Sequence, residues 1–271
     1  MTAPLLPRWR RSIAARMACI TLAMLPALTI HGWGLDPTLF PRLAILALAG
    51  LITALWLPWL PRHRNTDLPM LPRLLDALVH AALLAALWPA DIVLWPAVVA
   101  LALALLAQRL LGGWAVNPFP PAALALAIGI ALAQHITGAD FAPVLVSLFD
   151  AALAAAAWLG AGLMLTLLGL WPARAGLAFA LPVALSCGSG GVPASSFVTA
   201  AIVMAFVLAD TRHLPATRSG QILVGAFAGL GIAALWLGGA PPVTIAGPVL
   251  LACALAPWIE RLTLPRTNLS T

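Results

Sequence analysis

Ten apolar runs, joined by short connections that hold most of the arginines, limit more than anything else the folds open to this chain. They fall near residues 15–34, 41–61, 72–90, 91–111, 118–136, 143–170, 175–190, 195–210, 221–238 and 243–259. A helix crossing a hydrocarbon core of about 30 Å needs about 20 apolar residues, and most of the runs come close to that. A soluble domain is about one quarter charged. Here 8% of the 271 residues are charged and 63% are hydrophobic, with a mean hydropathy of +1.04. No soluble core hides that much apolar surface, so the expectation is an all-α polytopic membrane protein. It is a single integral membrane domain, residues 1–271, with about ten transmembrane helices. The tight turn at 88–91 and the short segments around Gly188 also fit re-entrant pairs.

A net charge of +6 and a pI near 11.2 suggest nucleic acid until the charges are placed. There is no lysine, and the 14 basic residues are all arginines in or beside the connections, where they report orientation. With the N-terminus in the cytoplasm, Arg8, Arg10, Arg11, Arg16, Arg62, Arg64, Arg73, Arg109, Arg174, Arg212, Arg218, Arg261 and Arg266 lie inside and only Arg42 lies outside. Both termini are therefore expected in the cytoplasm of a multi-pass protein of the bacterial inner membrane, with lipid and not nucleic acid around it. The basic start before Met17 resembles a signal peptide, but without a convincing cleavage site it reads as an uncleaved first span. Cys19, Cys187 and Cys253 are too scattered for a disulfide framework or a zinc site.

Ten spans with both ends inside divide into two sets of five, the second inverted relative to the first. Repeat one covers about 15–136 and repeat two about 143–259. Gly112, Gly113, Pro120 and Pro121 before span five echo Gly238, Gly239, Pro241 and Pro242 before span ten.

An ionisable residue inside a membrane points to function, because an acid at helix centre costs about 2.5–3.5 kcal/mol even on insertion scales. Asp76 and His80 are four apart and share a helix face, as a proton or cation relay would need. The alternative puts Asp76 in the interface beside Arg73 and bonds His80 to a neighbouring helix. Asp150, soon after the outer start of span six, reads equally as an ion-pathway residue or a structural one. Asp210 is expected to end its helix and pair with Arg212 or Arg218, and His135 and His213 to be solvated. Trp33, Trp59, Trp88, Trp95, Trp114, Trp171, Trp236 and Trp258 sit at span ends, as an aromatic belt would. The turn from Ser186 to Ser196, rich in glycine and serine, can cradle an anionic group at the start of the next helix.

The stretch QRLLGGWAVNPFPPAA, 108–123, resembles the K-Q-L-Y-G-G-L-G-x-N-P-F-N-P-A segment of the NqrB/RnfD family, with Gly112, Gly113, Asn117, Pro118, Phe119, Pro121 and Ala122 in place. DALVHAALLAALWPA from Asp76 is similar to that family's D-G-S-A-L-V-T-A-L helix. FVLADTRHLPATRSGQILVGAFAGL from Phe206 is similar to its F-M-x-T-D-P-V-T-A-P segment, with Asp210, Pro215, Thr217, Gly220, Gly225 and Gly229 in register. The resemblance spans nearly the whole chain. It implies ten spans in inverted halves and a membrane subunit of an electron transport complex that couples redox chemistry to ion movement.

The same resemblance implies FMN on a threonine in the D-x-x-S/T-G-A-T loop between spans seven and eight. Here Ser186 stands for the acid and Val192 for the acceptor, with Ser189, Gly190 and Gly191 between them. Valine has no oxygen to esterify, so covalent FMN is not expected, while noncovalent riboflavin or FMN remains open. The family's Asp-Pro has become Asp210-Thr211, and its second Asn after NPF is Pro120. No dinucleotide-binding loop and no iron–sulfur ligand set is present, so hydride and ferredoxin chemistry would belong to partner subunits. A small-solute or ion permease, or an assembly scaffold, is the alternative on the same fold.

Overall fold

The computed structural model describes residues 12–59, 69–111, 119–141, 146–171, 173–188, 192–208 and 211–264. They form ten α-helices and, among the described residues, no strand. The helices are α1 (Ile13–Gly34), α2 (Leu39–Trp56), α3 (Met70–Leu87), α4 (Trp95–Leu110), α5 (Pro121–Leu132), α6 (Leu148–Leu167), α7 (Arg174–Gly188), α8 (Ser195–Ile202), α9 (Arg218–Leu237) and α10 (Ala246–Thr263). Single π-turns extend α5 over Ala133–Thr137 and α8 over Val203–Val207. Each helix corresponds to one of the ten apolar runs. Six segments, α1, α2, α3, α6, α9 and Pro242–Thr263, are long and apolar enough to cross a membrane, and Trp95–Leu110, Pro121–Thr137, Arg174–Gly188 and Ser195–Val207 are shorter apolar helices. The protein is thus a helical membrane protein.

Local chemistry sets the helix starts. Ser12, Ser147 and Thr217 each accept a bond from a first-turn amide of α1, α6 and α9, satisfying donors that a helix start leaves orphaned. Pro96 and Pro121 occupy the first positions of α4 and α5, where a missing N–H is harmless. Pro242 opens the short 3₁₀ turn before α10 in the same way.

Small residues set the packing. A Cβ on Gly225 would lie 2.0 Å from the Ala175 carbonyl oxygen and one on Gly229 2.6 Å from that of Phe179. This G-x-x-x-G spacing lets the backbones of α9 and α7 touch, and the two are the most extensively paired helices of the molecule. Within the first five helices α2 packs on α3 and α4, α1 on α3, and α5 on α4 and α3. Within the last five α7 packs on α9, α6 on α8 and α10 on α9. The main pairings between the two sets are α1 with α6, α5 with α10 and, more lightly, α3 with α8.

The tryptophans correct the belt expectation. Trp33, Trp95 and Trp258 are exposed, as a belt requires, but Trp88, Trp171 and Trp236 are buried. The reason is packing: Trp88 fills the space left by Gly129, and Trp171 meets Phe206 edge-on at 5.0 Å. Phe206 in turn meets the fully buried Trp158 at 5.3 Å, and Trp158 donates Nε1–H to His31 Nδ1 at 3.3 Å. Trp59 lies at the end of the 3₁₀ turn after α2, and Trp114 lies outside the described residues.

Candidate functional site

Asp76 and His80 lie in the middle of α3, the most enclosed of the six long helices, and both are buried. Three elements converge on the Asp76 carboxylate. Arg212, from the 3₁₀ turn Thr211–His213 between α8 and α9, donates Nη1–H to Oδ1 at 2.9 Å. Gln108, near the end of α4, donates Nε2–H to Oδ2 at 3.3 Å. His80 lies one turn along α3 and brings Nε2 to 3.5 Å from Oδ1. That is ion-pair range without hydrogen-bond geometry, and neither ring nitrogen of His80 has a hydrogen-bond partner among the described residues. Asp76 is therefore a buried residue, and His80 makes no hydrogen bond to a neighbouring helix among the described residues. They form one centre with Arg212 and Gln108, neither of which the helical spacing of Asp76 and His80 could reveal.

The arrangement also corrects one reading of the connection between α8 and α9. Arg212 meets Asp76, while the expected pairing of Asp210 with Arg212 or Arg218 falls on a residue outside the described residues. His213 is buried, where solvation was expected, because the connection folds in over the end of the bundle where Arg212 reaches Asp76. His135 is exposed.

Opposite this end, a cavity of about 110 Å³ gathers residues from five connections, among them His31, Asp36, Trp88, Phe141, Ser195 and Pro241. Asp36 there forms an ion pair with Arg42, and Arg42 also donates to the Trp88 carbonyl at the far end of α3. Asp36 Oδ1 accepts from the Thr38 amide at 3.0 Å and from its hydroxyl at 2.6 Å, which fixes the start of α2. The arginine that stood out in the charge count is thus buried and neutralised. Trp88 follows Asp76 by 12 residues, so about 18 Å of helix at 1.5 Å per residue separates the two centres.

The other residues of interest fall in three places. Asp150 is half-buried at the start of α6, where its amide donates to Ser147 Oγ and its carboxylate accepts from that hydroxyl at 2.6 Å. It belongs to the helix start on the cavity side and is not brought to Asp76. Pro215, Thr217 and Gly220 build the start of α9. The Gly220 amide donates to Thr217 Oγ1 at 3.1 Å, and a Cβ on Gly220 would meet Pro215 and Thr217 at 2.6 Å. Phe119 is half-buried just ahead of α5, while Gly112, Gly113, Asn117 and Pro118 lie outside the described residues.

The stretch aligned with the flavin-attachment loop splits. Ser186 is buried in the last turn of α7, where its hydroxyl donates to the Val183 carbonyl at 2.8 Å. It is thus a helix residue and not a loop residue. Val192 is half-buried against the core, and Ser189, Gly190 and Gly191 lie outside the described residues. Ser196 is fully buried, and the Ser195 hydroxyl is buried in the first turn of α8. Among the described residues no group of three His, Cys, Asp or Glu side chains is placed to hold a metal ion. No known family model matches the chain, and no curated protein sequence matches it.

Proposed function

We propose that this chain is an NqrB/RnfD-like membrane subunit of an ion-translocating electron transport complex, with Asp76 at its ion-handling centre. One observation carries the reading: the three stretches that resemble the family meet at a single buried carboxylate. Asp76 begins the first, Gln108 the second, and Arg212 lies in the third. Residues 32 and 136 positions away in sequence have been brought to one acid inside a membrane protein, where an ionised group is costly unless it serves a purpose.

The reading includes ten spans in two inverted sets of five, with both termini in the cytoplasm. It is supported by the pairing of α1 with α6, α3 with α8 and α5 with α10, since a two-fold axis between repeats brings equivalent helices together. Seven of the eight described arginines, Arg16, Arg73, Arg109, Arg174, Arg212, Arg218 and Arg261, belong to helix ends or connections on the Asp76 side, and the eighth, Arg42, is neutralised. Reporter fusions after residues 66 and 190 are expected to give cytoplasmic and external signals respectively. Any flavin is expected to be noncovalent, with the redox partners on other subunits.

Affinity purification of the tagged chain from its own membranes tests the function. Flavin-bearing or iron–sulfur subunits should copurify with it, and any flavin that it holds should be released by denaturation. A colourless protein recovered alone would displace this reading in favour of the permease.

A further inference from the structure

Asp76 Oδ1 is approached by two cationic or potentially cationic groups at once: Arg212 Nη1 at 2.9 Å and His80 Nε2 at 3.5 Å. Only the first makes a hydrogen bond. Buried polar atoms nearly always have partners, and leaving one without is costly. Yet both ring nitrogens of His80, whose side chain is 5% exposed, have none among the described residues. An imidazole held beside a carboxylate with its nitrogens unused is a vacant proton site.

We propose that Asp76 and His80 bind one proton, and that Arg212 is a tethered cation that neutralises Asp76 when the proton is absent. This rests on Asp76 being the ion-handling centre proposed above, and it names the ion. A proton taken from water adds to the free ring nitrogen of His80. Nε2–H then donates to Asp76 Oδ1, and no bond between heavy atoms forms or breaks. Two positive groups now face one carboxylate oxygen, and the one that can leave is Arg212. His80 is fixed on α3, whereas Arg212 rides on a short turn between helices. Protonation therefore loosens the connection between α8 and α9, and deprotonation draws it back.

The surroundings select a proton over a metal cation. Hard cations are held by carboxylate, carbonyl and water oxygens. Three side chains of the described residues meet the Asp76 carboxylate with nitrogens: Arg212 Nη1, Gln108 Nε2 and His80 Nε2. The other charged or titratable groups at this end of the elements packed on α3, among the described residues, are Arg73 on α3 itself, Arg109 on α4, Arg16 and Cys19 on α1, and His213 beside Arg212. The described parts of α2, α5 and α8 contribute none here.

The test uses the full chain in lipid nanodiscs with a nitroxide on Ala216→Cys, an exposed position in the same connection. The signal of labelled protein lacking that substitution is subtracted, and spectra are taken across the histidine range of about pH 5 to 8. The mobile fraction should rise as the pH falls, and exchanging potassium for sodium at constant pH should leave it unchanged. His80→Gln should abolish the pH response, and so should Asp76→Asn, which serves if the first variant does not fold. A pH-independent label in the parent protein, a response retained in either variant, or mobilisation by sodium overturns the proposal. The isolated chain suffices for this experiment, so its failure is distinct from failure to find redox partners.

Discussion

Each end of the bundle buries an acid–arginine pair, and the two pairs are built on opposite plans. Asp36 and Arg42 are six residues apart, the acid also fixes the start of α2, and both belong to one helical hairpin. Asp76 and Arg212 are 136 residues apart, and their contact joins the first five helices to the last five. A pair within a hairpin keeps its geometry however the halves move. A pair across the halves reports and resists that movement. Among the described residues the second has a titratable side chain, His80, at the same carboxylate oxygen as its arginine, which is why the ion-handling role is proposed there.

The sharpest break in this comparison is removal of Arg212. Arg212→Ala removes the arginine bonded to a buried carboxylate, and breaking a buried ion pair from one side usually costs about 3–5 kcal/mol. Thermal unfolding in detergent should show a large fall in Tm, and Asp76→Asn combined with Arg212→Ala should recover much of it. If the double variant is no better than Arg212→Ala alone, Asp76 is not the group that Arg212 serves.

Arg42→Gln should do less. Asp36 keeps its two bonds from Thr38, so the loss is that of a hydrogen bond to a charged group, about 1.5–3 kcal/mol. Because the two centres are well separated, the effects of Arg42→Gln and Arg212→Ala should add to within about 0.5 kcal/mol. Strong coupling between them would mean that both ends belong to one cooperative network, and the contrast would fail. Thr38→Ala, which removes only the hydroxyl partner of Asp36, should cost about 1 kcal/mol, as side-chain bonds at helix starts do.

How far the residues announced all this follows from range. The ten helices were legible because each is a local apolar run bounded by proline, glycine or a capping hydroxyl. The shared face of Asp76 and His80 was legible because helical spacing fixes it. Gln108 and Arg212 were not, since nothing local says that an arginine after α8 will fold back over α3. Nor was the burial of Trp88 and Trp171, whose positions at helix ends suit a membrane interface equally well. It is decided by what stands opposite, Gly129 for one and Phe206 for the other. Ser186 misled in the other direction. Its neighbours Gly188, Gly190 and Gly191 read as a loop, but α7 continues to Gly188 and turns the hydroxyl into its own backbone.

The smallest expected effect is none at all. Coexpression with a flavin transferase should leave the denatured protein without a fluorescent flavin band on a gel. Val192 offers no hydroxyl, and the hydroxyls of Ser195 and Ser196 are buried. A covalent band would show that the transferase reaches a hydroxyl in this stretch and would withdraw the reading of a subunit without covalent flavin.

The most direct test of the central claim uses sealed inverted vesicles carrying the assembled complex, energised with NADH or reduced ferredoxin, in which donor oxidation and vesicle acidification are followed together. With Asp76→Asn the account predicts that oxidation continues while acidification is lost, and that Arg42→Gln at the other end leaves the two in step. Acidification that survives Asp76→Asn at the parent ratio to oxidation would contradict it.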